Sequence, residues 1–326
     1  MDELTRRGMI GGAIGGAAVA ALAGGALAQA APGDEIVPLW PKRIPGDQGT
    51  TIVRKVNERS KTAGANDRWI TGIDAPALVV KRPATPNGAA VLLIPGGGYG
   101  FLSYDNEGIE QARWLNAIGV TCFILLYRLP AEGWGNRALV PLQDAQRAVR
   151  VIRAGASRFG VEAQRIAVIG FSAGGHLAGS LATRHGEQAY APVDAADRLS
   201  ARPDLAGLIY PVISMDAAIT HRGSRDKLLG PAPDAAALAA ASVDRRVAAD
   251  TPPVFLVHAS DDGTVPVANS LAMYAAMLAA KRPVEMHLFD EGGHGFGVRL
   301  GKTVPTAQWP ALFTAYATRK GVFPAR

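Results

Sequence analysis

Arg165-Ile166-Ala167-Val168-Ile169-Gly170-Phe171-Ser172-Ala173-Gly174-Gly175 is the stretch on which the reading of this chain turns. Its first half is a continuous aliphatic run without polar alternation, the pattern of a strand covered on both faces. Its second half leads into a small-residue stretch, 173–184, that reads as a helix. Between them sits G-x-S-x-G. A serine held in a tight strand-to-helix turn needs small neighbours, and that turn lifts its hydroxyl over the C-terminal edge of the sheet. The N-terminus of the following helix then faces the place where negative charge develops. The five-residue pattern alone recurs by chance. The strand before it and the helix after it make Ser172 the candidate nucleophile.

Similar aliphatic runs lie at 89–94, 120–126, 205–210 and 254–257, with a strand-like segment at 284–289. Helical patterns lie between and after them. Leu142, Ala145, Val149 and Ile152 recur at helical spacing along 142–154, and 268–280 and 308–320 also read as helices. Alternation of this kind predicts one α/β domain over 31–326, with a mostly parallel central sheet flanked by helices. Residues 32–49, rich in Pro and Gly, read as an extended arm. Residues 51–56 and 69–82 are expected to add antiparallel strands at one edge. The long connection from Pro211 to Pro253, with an Ala-rich helix around 234–241, is expected to form a small lid-like insertion.

The chain has 326 residues, which is one large domain or two modest ones. An apolar fraction of 48% supplies a core and excludes a disordered chain. The single cysteine, Cys122, excludes an internal disulfide or a multi-thiolate metal site, and inside a strand it reads as a small buried hydrophobe. The net charge of +6 is spread along the chain without a block of Lys or Arg, so no nucleic-acid partner is expected. At the N-terminus, Arg6-Arg7 precedes a weakly apolar Gly/Ala-rich run to Leu27, followed by small-x-small sites ending at Ala28 and Ala30. This resembles a twin-arginine export signal over 1–30, which implies a periplasmic or secreted protein without stable membrane insertion after cleavage. The competing reading is an N-terminal anchor packed through Gly11 to Gly16.

Two further loops complete the candidate site. Pro95-Gly96-Gly97-Gly98-Tyr99-Gly100 ends an earlier strand, and its successive glycines free backbone N–H groups to face a substrate oxygen. Gly97 and Gly98, with the N–H of Ala173, are the candidate oxyanion donors. A phosphate cradle is disfavoured because no Lys-Ser/Thr follows the glycines. Among six histidines, His294 in Gly292-Gly293-His294-Gly295 follows the serine in chain order and sits in a glycine-flanked loop, which suits a general base. His258 reads as a packed strand histidine, His287 as outward-facing and His176 as a brace for the serine turn. His185 and His221 have no supporting context. Asp261 and Asp262 compete as the acid that orients His294. Asp262 is preferred because it leads directly into the 268–280 helix, with Asp261 stabilising the turn. Tyr99, Phe101 and Trp134 either line a substrate pocket or pack as loop core. The histidines lack ligand spacing with carboxylates, so no metal or other cofactor is expected.

These motifs, together with His258-Ala259-Ser260-Asp261-Asp262-Gly263-Thr264-Val265-Pro266, resemble those of α/β-hydrolase serine esterases of the acetyl xylan/feruloyl esterase-like group, related to the hormone-sensitive-lipase-like esterases. The resemblance covers residues 37–322. It implies the α/β-hydrolase fold and hydrolysis of small acyl esters of carbohydrate through an acyl-enzyme. The alternatives are a feruloyl esterase or a small exopeptidase on the same residues and, outside enzymes, a pseudo-hydrolase that only binds. The chain departs from the lipase-like relatives at one point. Those have His before the three glycines, and this chain has Pro95.

Overall fold

The computed structural model describes residues 35–325, so the expected export segment lies outside the described residues. The strands are β1 (Glu35–Pro38), β2 (Lys55–Glu58), β3 (Arg68–Thr71), β4 (Ala77–Lys81), β5 (Gly88–Ile94), β6 (Leu102–Ser103), β7 (Thr121–Leu126), β8 (Val161–Phe171), β9 (Leu205–Ile209), β10 (Val254–Ala259) and β11 (Val284–Phe289). The helices are α1 (Glu110–Ala117), α2 (Val140–Ala154), α3 (Ala156–Phe159), α4 (Ala173–Arg184), α5 (Arg222–Leu229), α6 (Ala235–Ala241), α7 (Ala268–Ala279) and α8 (Trp309–Arg319).

Eight strands form the main sheet in the order β1-β4-β7-β5-β8-β9-β10-β11. From β7 to β11 all neighbours are parallel, and β1 and β4 add an antiparallel edge. Every residue of β7, β9 and β10 is buried, which is why their sequences show no alternation. Helices cover both faces, and two adjacent residues of β8 show it. A Cβ on Gly170 would meet the Cβ of Ala178 in α4 at 2.6 Å. Its neighbour Ile169, on the opposite face, is registered with Gly207, where a Cβ would meet Phe313 of α8 at 2.8 Å. Glycine at each place lets a helix approach the sheet closely.

The expected antiparallel edge needs correcting. Residues 77–81 join it, but they pair outward with 35–38, inside the arm read as extended. β2 and β3 leave the edge and form a separate three-stranded antiparallel sheet with β6. The break falls at Gly72, whose φ of +67° turns the chain and where a Cβ would sit 2.0 Å from the carbonyl oxygen of Val53.

A buried ion pair fastens the arm to the sheet. Arg128, two residues after β7, and Asp144 of α2 are both fully buried, with Nη2 and Oδ1 2.7 Å apart. Asp144 also accepts bonds from the Arg128 backbone N–H at 2.9 Å and from Trp40 Nε1 at 2.8 Å, and Arg128 Nη1 donates to the carbonyl of Pro45. The buried Trp134 lies against the same guanidinium, 5.0 Å from ring centroid to Cζ. Its expected role in a substrate pocket is therefore corrected to packing, because it covers the buried cation. Asp144→Ala leaves Arg128 buried without its counter-charge. It is expected to lower the unfolding free energy by about 3–5 kcal/mol, measured by urea denaturation.

Candidate active site

Ser172 occupies a backbone conformation (φ 53°, ψ −118°) that few L-residues adopt. It persists because the turn is bonded on all sides. Ser172 N donates to Ile209 O at 3.0 Å, and its carbonyl accepts from His176 N and Val212 N, each at 3.1 Å. A Cβ on Gly174 would lie 2.2 Å from Ile94 O, and one on Gly170 2.2 Å from Gly174 O, so both positions of the motif require glycine. The turn places Ser172 Oγ 3.0 Å from His294 Nε2.

His294 Nδ1 lies 2.7 Å from Asp262 Oδ2. With the carboxylate accepting at Nδ1, the proton sits there and Nε2 is left to accept from the serine hydroxyl. The aspartate is itself held firmly. Its Oδ1 accepts from Thr264 N at 2.8 Å and Val265 N at 2.9 Å, and His258 Nε2 lies 3.1 Å from Oδ2. Burial works to raise the carboxyl pKa, but the hydrogen bonds of His258 and His294, the charge of His294 and the Val265 N–H outweigh it and hold the group well below the usual carboxylate range. Asp261 does not reach His294. It accepts from Gly292 N at 3.2 Å and Gly293 N at 2.8 Å, so it fixes the loop that carries the histidine.

The glycine loop follows β5. Gly96 donates its N–H to Glu107 Oε2 at 2.7 Å, which commits that group to the protein. Gly97 (φ 122°) and Gly98 (φ 62°) line the cavity beside Ser172. Ala173 opens α4, where first-turn N–H groups lack partners within the helix. The bracing that Pro95 cannot supply comes from elsewhere. Tyr127 donates its hydroxyl to Pro95 O at 2.8 Å. Glu107, buried in a π-helical turn over 105–109, joins Gly96 to Tyr210, whose hydroxyl donates to Glu107 Oε1 at 2.9 Å. Tyr210 Oη in turn accepts from Gly297 N at 3.2 Å, and its ring lies 5.0 Å from that of His294. One buried chain thus links the glycine loop to the histidine loop. Burial pushes the Glu107 carboxyl above its usual range, against the lowering effect of the bonds from Gly96 and Tyr210.

The cavity above Ser172 has a volume of about 430 Å³. Trp69 and Phe101 stack at 3.6 Å in its wall, and the Arg59 guanidinium lies 3.7 Å over Trp69. The small sheet carries Trp69 to this position. Phe101 therefore lines the cavity as expected, but Tyr99 does not. It is 1% exposed and its hydroxyl is bonded to His176 Nδ1 at 2.8 Å, beneath the glycine loop. With His176 Nε2 bonded to Ala241 O at 2.7 Å, His176 braces the serine turn from behind. Sequence reasoning missed Tyr210, Trp69 and Arg59 because each reaches the site from a distant segment, and Glu107 because no local pattern marks its bond to Gly96 eleven residues earlier. It found no context for His221, which lines the cavity. His258 is packed as expected, and its bond to Asp262 is new.

A mostly parallel eight-stranded sheet, a serine at its strand-to-helix turn, and an aspartate and a histidine from the loops after β10 and β11 define an α/β-hydrolase. The BD-FAE family model matches residues 80–277, more than half of the chain, and the chain belongs to that family. It is 34% identical over 224 residues to an acetylxylan esterase of Xylanibacter ruminicola, covering 68% of this chain and 43% of that one. It is 36% identical over 208 residues to endo-1,4-beta-xylanase B of Butyrivibrio fibrisolvens, covering 64% of this chain and 32% of that one. The chain thus spans less than half the length of these two relatives. The crystal structure of an acetyl ester-xyloside bifunctional hydrolase from Caldicellulosiruptor lactoaceticus superposes with a TM-score of 0.74 at 32% identity, covering 89% of this chain and 97% of that one.

Two outcomes follow from the geometry. Glu107→Ala frees the glycine loop and is expected to lower kcat on an ester substrate by about 10²-fold, with a smaller change in KM, because a displaced oxyanion donor acts on the transition state. Asp262 has a folded pKa below its unfolded one, so its stabilisation is complete above about pH 4 and is lost as pH falls toward the folded value. Thermal melts across pH should show wild type more stable than Asp262→Asn at pH 7, with the gap shrinking below about pH 4.

Proposed function

We propose that this protein is a serine carboxylesterase that removes small acyl groups, acetyl foremost, from carbohydrates such as xylan. The observation that carries the reading is the relay of Ser172 Oγ to His294 Nε2 at 3.0 Å and His294 Nδ1 to Asp262 Oδ2 at 2.7 Å. Oγ attacks the ester carbonyl carbon while its proton passes to His294 Nε2. The carbonyl oxygen becomes an oxyanion held by the N–H groups of Gly97, Gly98 and Ala173. The C–O bond to the alcohol then breaks, and the leaving oxygen takes the proton from His294. Water repeats the sequence on the acyl-enzyme: it loses a proton to His294, displaces Oγ and releases the carboxylic acid. Asp262 stays ionised throughout, fixing the ring and balancing the imidazolium. The carbohydrate part of the reading is supported by the names of the relatives, an acetylxylan esterase and a xylanase, and by an open cavity with an aromatic wall.

Acetate release from acetylated xylan is the direct assay, with methyl ferulate and an aminoacyl anilide as competing substrates. Wild type should favour the acetylated glycan. Ser172→Ala should lower kcat by about 10⁶-fold. Release of ferulate or amine in preference to acetate would replace the acetyl reading with one of its alternatives. We further propose that residues 1–30 direct twin-arginine export, a reading supported by Arg6-Arg7 and the Ala-rich stretch after them. Replacing both arginines with lysine should leave uncleaved precursor in the cytoplasm of the producing bacterium, seen by blotting cell fractions. Unchanged processing would contradict it.

A further inference from the structure

His221 is the histidine to which sequence gave no context. It stands immediately before α5 in the lid insertion and lines the cavity above Ser172. It caps α5 in an uncommon way. Its Nδ1 accepts from the backbone N–H of Ser224 at 3.2 Å and lies 2.8 Å from the fully buried Ser224 Oγ. A nitrogen that accepts a backbone N–H carries no proton, so the proton of this ring sits on Nε2. Among the described residues Nε2 has no hydrogen-bond partner. Burial, and then the nearby charge of His294, keep the imidazole pKa below its usual value, which matches the neutral tautomer that the cap demands. The cap therefore does two things: it starts the helix, and it leaves the Nε2–H unused on a ring that lines the cavity.

The other long polar side chains of the cavity are already engaged. Arg299 is bonded to Glu110 and Asp67, Glu107 holds Gly96 and Tyr210, Asn106 spends an N–H on Gly295 O and keeps only its Oδ1 acceptor unpartnered, and Arg59 lies over Trp69 and pairs with Asp67 at 3.4 Å. His221 also sits beside the glycine loop, with Cε1 3.7 Å from where a Cβ of Gly98 would lie. An acetyl group carries one acceptor besides the ester oxygen, its carbonyl oxygen, and backbone N–H groups take that. A further side-chain donor can serve only the alcohol half of the ester.

We propose that His221 is a specificity-determining residue whose Nε2–H donates to a free hydroxyl next to the acetylated position of a sugar. The inference rests on the carbohydrate-ester reading above. It makes the lid insertion part of the substrate site, with Ser224 as a positioning residue that fixes the tautomer.

The test uses a mono-O-acetylated methyl xyloside and analogues in which one neighbouring hydroxyl is replaced by hydrogen. Wild type should lose about tenfold in kcat/KM when the recognised hydroxyl is removed, the worth of one neutral hydrogen bond. His221→Ser keeps a good helix cap but has no N–H at this reach. It should cleave the hydroxyl and deoxy substrates with nearly equal kcat/KM, and His221→Gln, which restores an N–H, should recover part of the discrimination. Thermal melts confirm that each variant is folded. Equal losses by His221→Ser on every substrate, p-nitrophenyl acetate included, would show that the residue only shapes α5 and overturn the proposal. So would unchanged discrimination in His221→Ser. Failure of wild type to cleave the acetylated xyloside while it cleaves p-nitrophenyl acetate would instead overturn the carbohydrate reading, and this inference with it.

Discussion

The left-handed turn at Ser172 is the constraint around which the rest of the site is organised. A non-glycine residue at φ 53° costs on the order of 1–3 kcal/mol, and the chain tolerates it because β8, β9 and α4 fix the backbone on either side. The same turn forces glycine at 170 and 174, brings the start of α4 under the cavity and raises Oγ to meet His294. A fully parallel, fully buried centre of the sheet is what makes the turn stiff enough to hold.

A second constraint is the position of the glycine loop. Triple glycine gives backbone freedom, and freedom alone would blur the donors. Here the loop is held by the Glu107 carboxylate, itself braced by the Tyr210 hydroxyl, and by the hydroxyl of Tyr127. The bracing that Pro95 cannot give through a side chain is supplied in this chain from behind and below. The Tyr210 bond to Gly297 extends the bracing to the loop of His294, so donor and base are tied through one buried network.

The sequence made the central sheet legible because the strands are buried on both faces and therefore read as unbroken aliphatic runs. It made Ser172, His294 and Asp262 legible because each sits in a short loop whose local glycines or turn residues carry the pattern. The structure brings those three together. What the sequence hid depends on long-range contact. Nothing local to Asn106-Glu107-Gly108 says that its carboxylate supports a loop eleven residues earlier, and nothing in β3 says that Trp69 will stack on Phe101. For Tyr99 and Trp134 the sequence leaves lining and packing both open, for the converse reason. Aromatic residues near a site either face the cavity or pack beneath it, and the choice was made by His176 for one and the buried Arg128 for the other. The small sheet of β2, β3 and β6 was hidden too, because a single glycine, Gly72, divides an apparently continuous strand region.

The central claim is that one serine, activated by His294, is the nucleophile. Intact-mass and peptide mass spectrometry after treatment with a fluorophosphonate at neutral pH tests it most directly. The account predicts one adduct per chain, on Ser172, formed slowly or not at all in His294→Ala. No adduct, an adduct on another residue, or labelling of His294→Ala at the wild-type rate would contradict it.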